Sequence, residues 1–296
     1  MIDFIRADFY RLMRSKGFWI TEFALFCVIS LGTLFQSNIR FGANISNHET
    51  ATQALGKLTG IQALNYFADN TDSLFFFTII IISMVLGVDL SRKLYKNCLS
   101  YGISKLSYYL SKFFVCVSIA LLHLLFIQAI SFVTASLSNG IGSAPSHFWS
   151  QLGAALFVQF LSTIAWISII SLVLYASHSI VSSFLTYFIG GALLSIPLIF
   201  YPDNEWLPYL TLRFNTAMAA DGGTVIKAIL TTSTVTFLFL IGGLKIFKTK
   251  NLKDASSILN NRRKFHVTHH SGGTLPAHPF QTFLDNRGSA LPPHLR

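Results

Sequence analysis

The chain has 296 residues, 52% of them hydrophobic and only 11% charged, with a formal net charge of +10. Soluble domains carry about a quarter charged residues, so this composition belongs to the membrane class. Its apolar runs are long and continuous, which excludes a barrel of short alternating strands and leaves helices of about 20 residues, whose backbone is satisfied internally. The basic residues sit between the apolar runs, a pattern that fits an anionic membrane surface and not nucleic acid. Cys27, Cys98 and Cys116 lack metal-ligand spacing and read as small buried hydrophobes.

Residues 1–16 read as an amphipathic helix. Ile2, Ile5, Phe9, Leu12 and Met13 recur at helical spacing, with Asp3, Arg6, Asp8, Arg11 and Arg14 on the remaining surface. Such a helix lies in the membrane interface, and the absence of a small-residue cleavage site argues against a signal peptide. The expected fold is an all-α polytopic membrane protein with a membrane domain over 17–255. Its six spans are expected at about 17–35, 73–88, 113–135, 152–174, 179–200 and 228–246.

Glu22, His123 and Gln128 are the polar candidates inside these spans. An intramembrane acid is a functional candidate by default, but Glu22 is close enough to the first span's start to reach the headgroups or pair with Arg14 or Lys16. His123 is expected to hydrogen-bond a neighbouring helix. Residues 36–72 read as a polar external loop with some helix and a chance-level acceptor tripeptide, Asn44-Ile45-Ser46. Residues 136–151 form a turn-rich loop. The aromatic 201–227 stretch reads as an external loop on the membrane or a short broken hairpin dipping into it. From 256 the tail, with His266, His269 and His270, is expected to lack order.

Six spans put both termini on one side. That side carries four Lys/Arg before the first span, five in 89–112 and nine from Lys245 onward, against Arg40, Lys57, Arg213 and Lys227 opposite. The positive-inside rule therefore makes both termini and residues 89–112 cytoplasmic.

That basic segment, DLSRKLYKNCLSYGISKLSYYLSK, lies between two of the most apolar runs in the chain. Residues 91–101 are helix-compatible, Gly102 suits a left-handed helix end, and Ser104 suits the cap of the next helix. Leu94, Cys98 and Leu99 would pack inward, leaving Arg92, Lys93, Lys96 and Tyr101 for a partner. A basic loop resting on anionic lipid would share the same composition. The sequence holds no phosphate loop, no HExxH, no GxSxG and no CxxC, so the chain is not expected to be an enzyme or to bind a cofactor itself. A secondary transporter would need intramembrane charges or broken helices; an anchor or sensor subunit would need only the spans.

Lys96-Asn97-Cys98-Leu99-Ser100-Tyr101-Gly102-Ile103-Ser104-Lys105, followed by Tyr108-Tyr109-Leu110-Ser111-Lys112, resembles the first cytoplasmic loop of type-2 ABC transporter permeases. The opening IRADFYRLMRSKGFWI is similar to that family's N-terminus, and the nearest likeness is to permeases of lantibiotic and bacitracin export and immunity. The resemblance covers about residues 1–255. It implies a bacterial plasma-membrane exporter of an amphipathic cargo such as an antimicrobial peptide. Two permease copies would dock on separate ATPase subunits that hold ATP and Mg. Coupling would fall to Asp89, Lys93, Lys96, Asn97, Ser100, Tyr101, Gly102, Ser104 and Lys105. Asp89 stands where the family has an acid, but Lys93-Leu94 replaces its Gly-Thr pair.

Overall fold

A computed structural model describes residues 2–35, 58–201, 204–214, 216 and 218–270. Asn44-Ile45-Ser46, Arg40, Lys57 and residues 271–296 lie outside the described residues, and His266, His269 and His270 fall where only the backbone is described. The chain divides into Met1–Lys248, which holds the membrane domain, and Thr249–Arg296.

Among the described residues, six helices are long and apolar enough to cross a membrane: Lys16–Leu34, Thr71–Ser91, Lys105–Asn139, Phe148–Ser177, Ile180–Phe200 and Gly222–Thr249. Their order in the chain makes them the first to sixth spans. The protein is an all-α polytopic membrane protein. The third helix, at 35 residues, is about 52 Å long and exceeds the roughly 30 Å hydrocarbon core. The second and third spans overrun the expected 73–88 and 113–135 because Asp89 and Lys112, which look like membrane boundaries in sequence, are buried against each other inside the fold. The helix of the sixth span runs from Gly222 to His270, through the first part of the tail expected to lack order.

The N-terminal helix, Ile2–Met13, buries Leu12 in the main core together with residues of the second, third and fourth spans. A helix at Gly60–Asp69 precedes the second span and packs along the third. Thr59 and Gln62 form its capping box, and its Gly60 and Ile61 N–H groups donate to the carbonyls of Gly140 and Ile141 (both 3.0 Å). These bonds satisfy donors that a helix start leaves open. The chain breaks at Asn70 and restarts as the second span at Thr71.

Close packing fixes the sixth span. A Cβ on Gly243 would lie 2.6 Å from the Tyr109 hydroxyl and 3.4 Å from Leu172 Cα. Tyr109 itself donates to the Leu240 carbonyl at 3.0 Å. Gly243→Ala is therefore expected to lower the melting temperature of the detergent-solubilised protein by several degrees. Adding Tyr109→Phe should recover most of that loss, at the cost of about 1 kcal/mol for the hydrogen bond.

Candidate functional site

The Asp89–Lys112 stretch folds as the sequence suggests at one end and differently at the other. The second span passes through a π turn at Ser83–Gly87 and ends at Ser91. A short helix, Tyr95–Ser100, follows; Gly102 takes φ +84°, and Ser104 caps the third span by accepting from the Ser107 N–H at 3.1 Å. The corner at Gly102–Ser104 thus has the geometry its residues favour. At the start of the segment the chain turns through Lys93, whose φ is +56°. A left-handed non-glycine residue costs about 1–2 kcal/mol. The resemblance places glycine at this position, and the strained backbone explains why a glycine suits it. Lys93→Gly is expected to raise thermal stability slightly and to leave the segment's conformation unchanged, as seen by melting of the purified protein.

Tyr95, not singled out by sequence, anchors this segment. It is 1% exposed, with its ring 5.8 Å from both Phe247 and His178. Phe247 also stacks on Tyr108 (5.7 Å) and meets Tyr175 (4.9 Å), which meets Tyr109 at 4.9 Å. The short helix is thereby seated on aromatic groups from the third, fourth and sixth spans. Cys98, Leu99 and Ile103 pack partly against the same core, while Leu94 points outward at 38% exposed, against expectation. Burial pushes the Cys98 thiol above its ordinary range. Outward lie Arg92, Lys93, Asn97, Ser100, Tyr101, Gly102 and Ser104, with Lys96 and Lys105 half-buried. Lys105 Nζ lies 3.5 Å from the Lys248 carbonyl.

Asp89 stands apart from these. It is 4% exposed and takes part in a buried charge cluster that the sequence did not reveal. Lys112, 1% exposed, donates through Nζ to Asp8 Oδ1 at 2.7 Å and lies 2.5 Å from Asp89 Oδ2. Arg11 donates to Asp89 Oδ1 at 2.8 Å and to the Val85 carbonyl, inside the π turn, at 3.4 Å. It also lies 3.4 Å from Asp8 Oδ1. Burial works against the Arg11 charge, but the hydrogen bond and negative charge of Asp89 and the charge of Asp8 outweigh it and raise its pKa. Two acids and two bases balance. Asp8 was expected on the polar surface of the N-terminal helix; instead it points into the core and pairs with Lys112, while Arg11 pairs with Asp89, so that helix is tied to both ends of the 89–112 segment. The available sequence signal was Asp8 and Arg11 at i, i+3 on the helix, with Asp89 and Lys112 flanking apolar runs.

A second polar cluster lies deeper. His123 Nε2 is 2.7 Å from Glu22 Oε1, and its Nδ1 is 2.9 Å from Thr78 Oγ1. Glu22 therefore pairs across to the third span and not with Arg14 or Lys16. With Nε2–H donating to the carboxylate, Nδ1 of the neutral ring accepts from the Thr78 hydroxyl. Eleven residues separate Lys112 from His123, and eleven separate Thr78 from Asp89; at 1.5 Å per residue this triad lies about 16 Å from the first cluster along the second and third spans. Gln128 is buried without joining either cluster, and neither of its amide atoms has a hydrogen-bond partner among the described residues.

At the far side, Tyr209, Leu212 and Phe214 are buried, with Tyr209 and Phe214 in one cluster with Val158 of the fourth span and Ala228 of the sixth. Gln159, 3% exposed, donates to the carbonyls of Ala68 and Phe214 (3.2 Å for the latter) and lies 3.2 Å from Thr71 Oγ1, while Ser162 donates to the Leu212 carbonyl. Asp69 Oδ1 accepts from the Thr216 N–H (2.6 Å) and hydroxyl (2.8 Å). Closer to the surface, Lys227 pairs with Glu205 at 2.6 Å, and Asp221 caps the sixth helix through Thr224 N–H and hydroxyl contacts at 3.0 and 2.8 Å. The Lys227 hydrogen bond and charge hold Glu205 below its ordinary range; the bonds from Thr224 and Gly223 do the same for Asp221. Lowered folded-state values add stability that is present above the ordinary carboxylate range and is lost as pH falls through the lowered values. Melting temperature is accordingly expected to show no loss from these two groups between pH 7 and 5, with Asp221→Ala removing the helix cap throughout that range.

Six apolar helices and an N-terminal helix locked to an exposed polar elbow define a multi-pass membrane protein. The family model described as ABC-2 family transporter protein matches residues 4–192, and the chain belongs to that family: it is the membrane subunit of an ABC transporter. No curated protein and no solved structure matches it.

Proposed function

We propose that the chain is the permease of an ATP-driven exporter, docked through Tyr95–Ser100 and its flanks onto a separate cytosolic ATPase subunit that supplies ATP and Mg. The observation carrying this reading is the combination at one segment. It has an outward polar face, Arg92 to Ser104, and an inward face keyed by Tyr95 against Phe247 of the sixth span and His178 at the end of the fourth. ATP-driven closure of the ATPase subunits pushes on the outward face. Tyr95 passes the motion to the third, fourth and sixth spans, and the Asp89–Lys112–Asp8 cluster passes it to the N-terminal helix. In this reading the permease acts as a homo- or heterodimer in a bacterial plasma membrane with both termini cytoplasmic. Its cargo is amphipathic, with an antimicrobial peptide as the first candidate to test.

Gly102→Pro forbids φ +84°, and Lys96→Glu reverses a charge on the docking face. Both are expected to abolish cargo-stimulated ATP hydrolysis by the reconstituted complex; full coupled activity in both variants contradicts the docking role. An ion-driven transporter is the second reading, favoured by the Glu22–His123 pair and the helix break at Asn70. Transport by reconstituted vesicles with a proton gradient and no ATP would support it.

A further inference from the structure

Residues 5–35 sort their charges by side. Asp8 turns inward to Lys112, Arg11 is held by Asp89 and Asp8, and Glu22 turns inward to His123. Arg14 and Lys16 stay on the outer surface, and neither pairs with an acid among the described side chains. Arg6, also exposed, lies two turns before Arg14 on the same helix. The N-terminal helix ends at Met13 and the first span begins at Lys16, so these cations stand at the corner where the chain enters the membrane. The positive-inside rule puts that corner at the cytoplasmic leaflet, which carries the anionic lipids.

The corner is also built. Arg14 Nη1 donates to the Tyr10 hydroxyl at 2.8 Å, and its guanidinium carbon lies 5.3 Å from the centre of the same ring. One N–H is used to hold the fork in place, which leaves the rest of it for another acceptor. The Tyr10 hydroxyl accepts that bond and keeps its own proton to donate. Trp19 Nε1 donates to the Met13 carbonyl at 2.8 Å, closing an acceptor that the helix end leaves open. Just inside the cations, Trp19, Ile20 and Phe23 are all more than half exposed, on a span that protein leaves mostly uncovered. A free phosphate would use the cations alone. An anionic phospholipid uses the cations and the apolar surface together.

We propose that this corner binds one anionic phospholipid of the cytoplasmic leaflet, its phosphate on the Arg14 fork with Lys16 beside it and an acyl chain along Ile20 and Phe23. A charged fork held by a second side chain suits the two free oxygens of a phosphodiester. Arg11, three residues before Arg14, carries the bond to Asp89, so the bound lipid steadies the N-terminal helix where it meets the 89–112 segment. Binding of this kind depends on the topology of the proposed function but on no ATPase.

The test uses the full-length protein purified in detergent, with phosphatidylglycerol and phosphatidylcholine as probes and bound lipid counted by native mass spectrometry. One phosphatidylglycerol should be retained at least tenfold more tightly than phosphatidylcholine. A cation near an anionic surface is worth about fivefold in affinity, so Arg14→Gln and Lys16→Gln together should weaken retention at least tenfold. Arg92→Gln with Lys93→Gln removes the same charge from the exposed elbow and should leave retention unchanged. Equal loss in the two paired variants would mean diffuse attraction to basic protein and would overturn the proposal. Parent-like retention in the Arg14, Lys16 variant would overturn it too, and loss of a co-purifying protein from that variant would then assign the corner to a protein. Fluorescence quenching by one phosphatidylglycerol with brominated chains per protein needs neither paired variant. Quenching should fall sharply when Trp19→Phe removes the reporter at the corner; quenching that does not change would contradict the site. Lipid retention is read without an ATPase, so failure of the docking reading would leave this result standing.

Discussion

Replacing Lys112 by methionine is expected to cost about 3–5 kcal/mol, because it leaves Asp8 and Asp89 facing each other in a buried site with one half-exposed arginine between them. Against stabilities of about 5–15 kcal/mol, that is a large share. The measurement is thermal unfolding of the detergent-solubilised protein by size-exclusion fluorescence, in which the variant should lose its monodisperse peak at much lower temperature than the parent. Adding Asp8→Asn and Asp89→Asn removes the stranded charges and should recover much of the loss, since a buried pair replaced on both sides is far less costly than one broken on one side. A variant as stable as the parent would mean that the cluster is hydrated and its charges independently solvated.

His123→Leu is expected to be nearly as damaging, by about 3 kcal/mol, for a different reason. It strands the Glu22 carboxylate deep in the membrane domain, where an unpaired charge is poorly tolerated. Glu22→Gln should be mild, because an amide oxygen still accepts from the ring N–H and the charge is gone. The Glu22→Leu, His123→Leu pair should be closer to the parent than His123→Leu alone. Yield and melting temperature of the parent, Glu22→Leu, His123→Leu and the paired variant form a double-mutant cycle, and a coupling near zero would show that the two side chains do not meet.

These two clusters mark where the sequence stops being readable. The six apolar runs announce six helices, since length and hydropathy are local properties. The Gly102–Ser104 corner is legible for the same reason: φ +84° and an N-cap are preferences of single residues. Burial of a charge is not local. Asp8 reads as one of five polar residues on an amphipathic helix until Lys112, 104 positions later, is brought against it. Glu22 is within reach of Arg14 and Lys16 in sequence, but packing of the first span on the third gives it His123 instead. Asp89 resembles a surface acid because it follows an apolar run and precedes Arg92 and Lys93. Its burial follows from the N-terminal helix lying across it. Tyr95, hidden among polar neighbours, becomes an anchor only when Phe247 and His178 arrive from other spans.

Docking of an ATPase on the Tyr95–Ser100 elbow is the claim on which the functional account turns. Tagged full-length protein purified from its native membrane, beside a Tyr101→Asp, Lys96→Glu variant that keeps the buried Tyr95 anchor intact, tests it most directly. Tyr101 is 88% exposed and contributes nothing to the core, so the variant should fold and insert as the parent does. A phosphate-loop ATPase is expected to co-purify with the parent in stoichiometric amount and to be absent from the variant. Equal recovery from both chains, or no phosphate-loop protein with the parent, would contradict it.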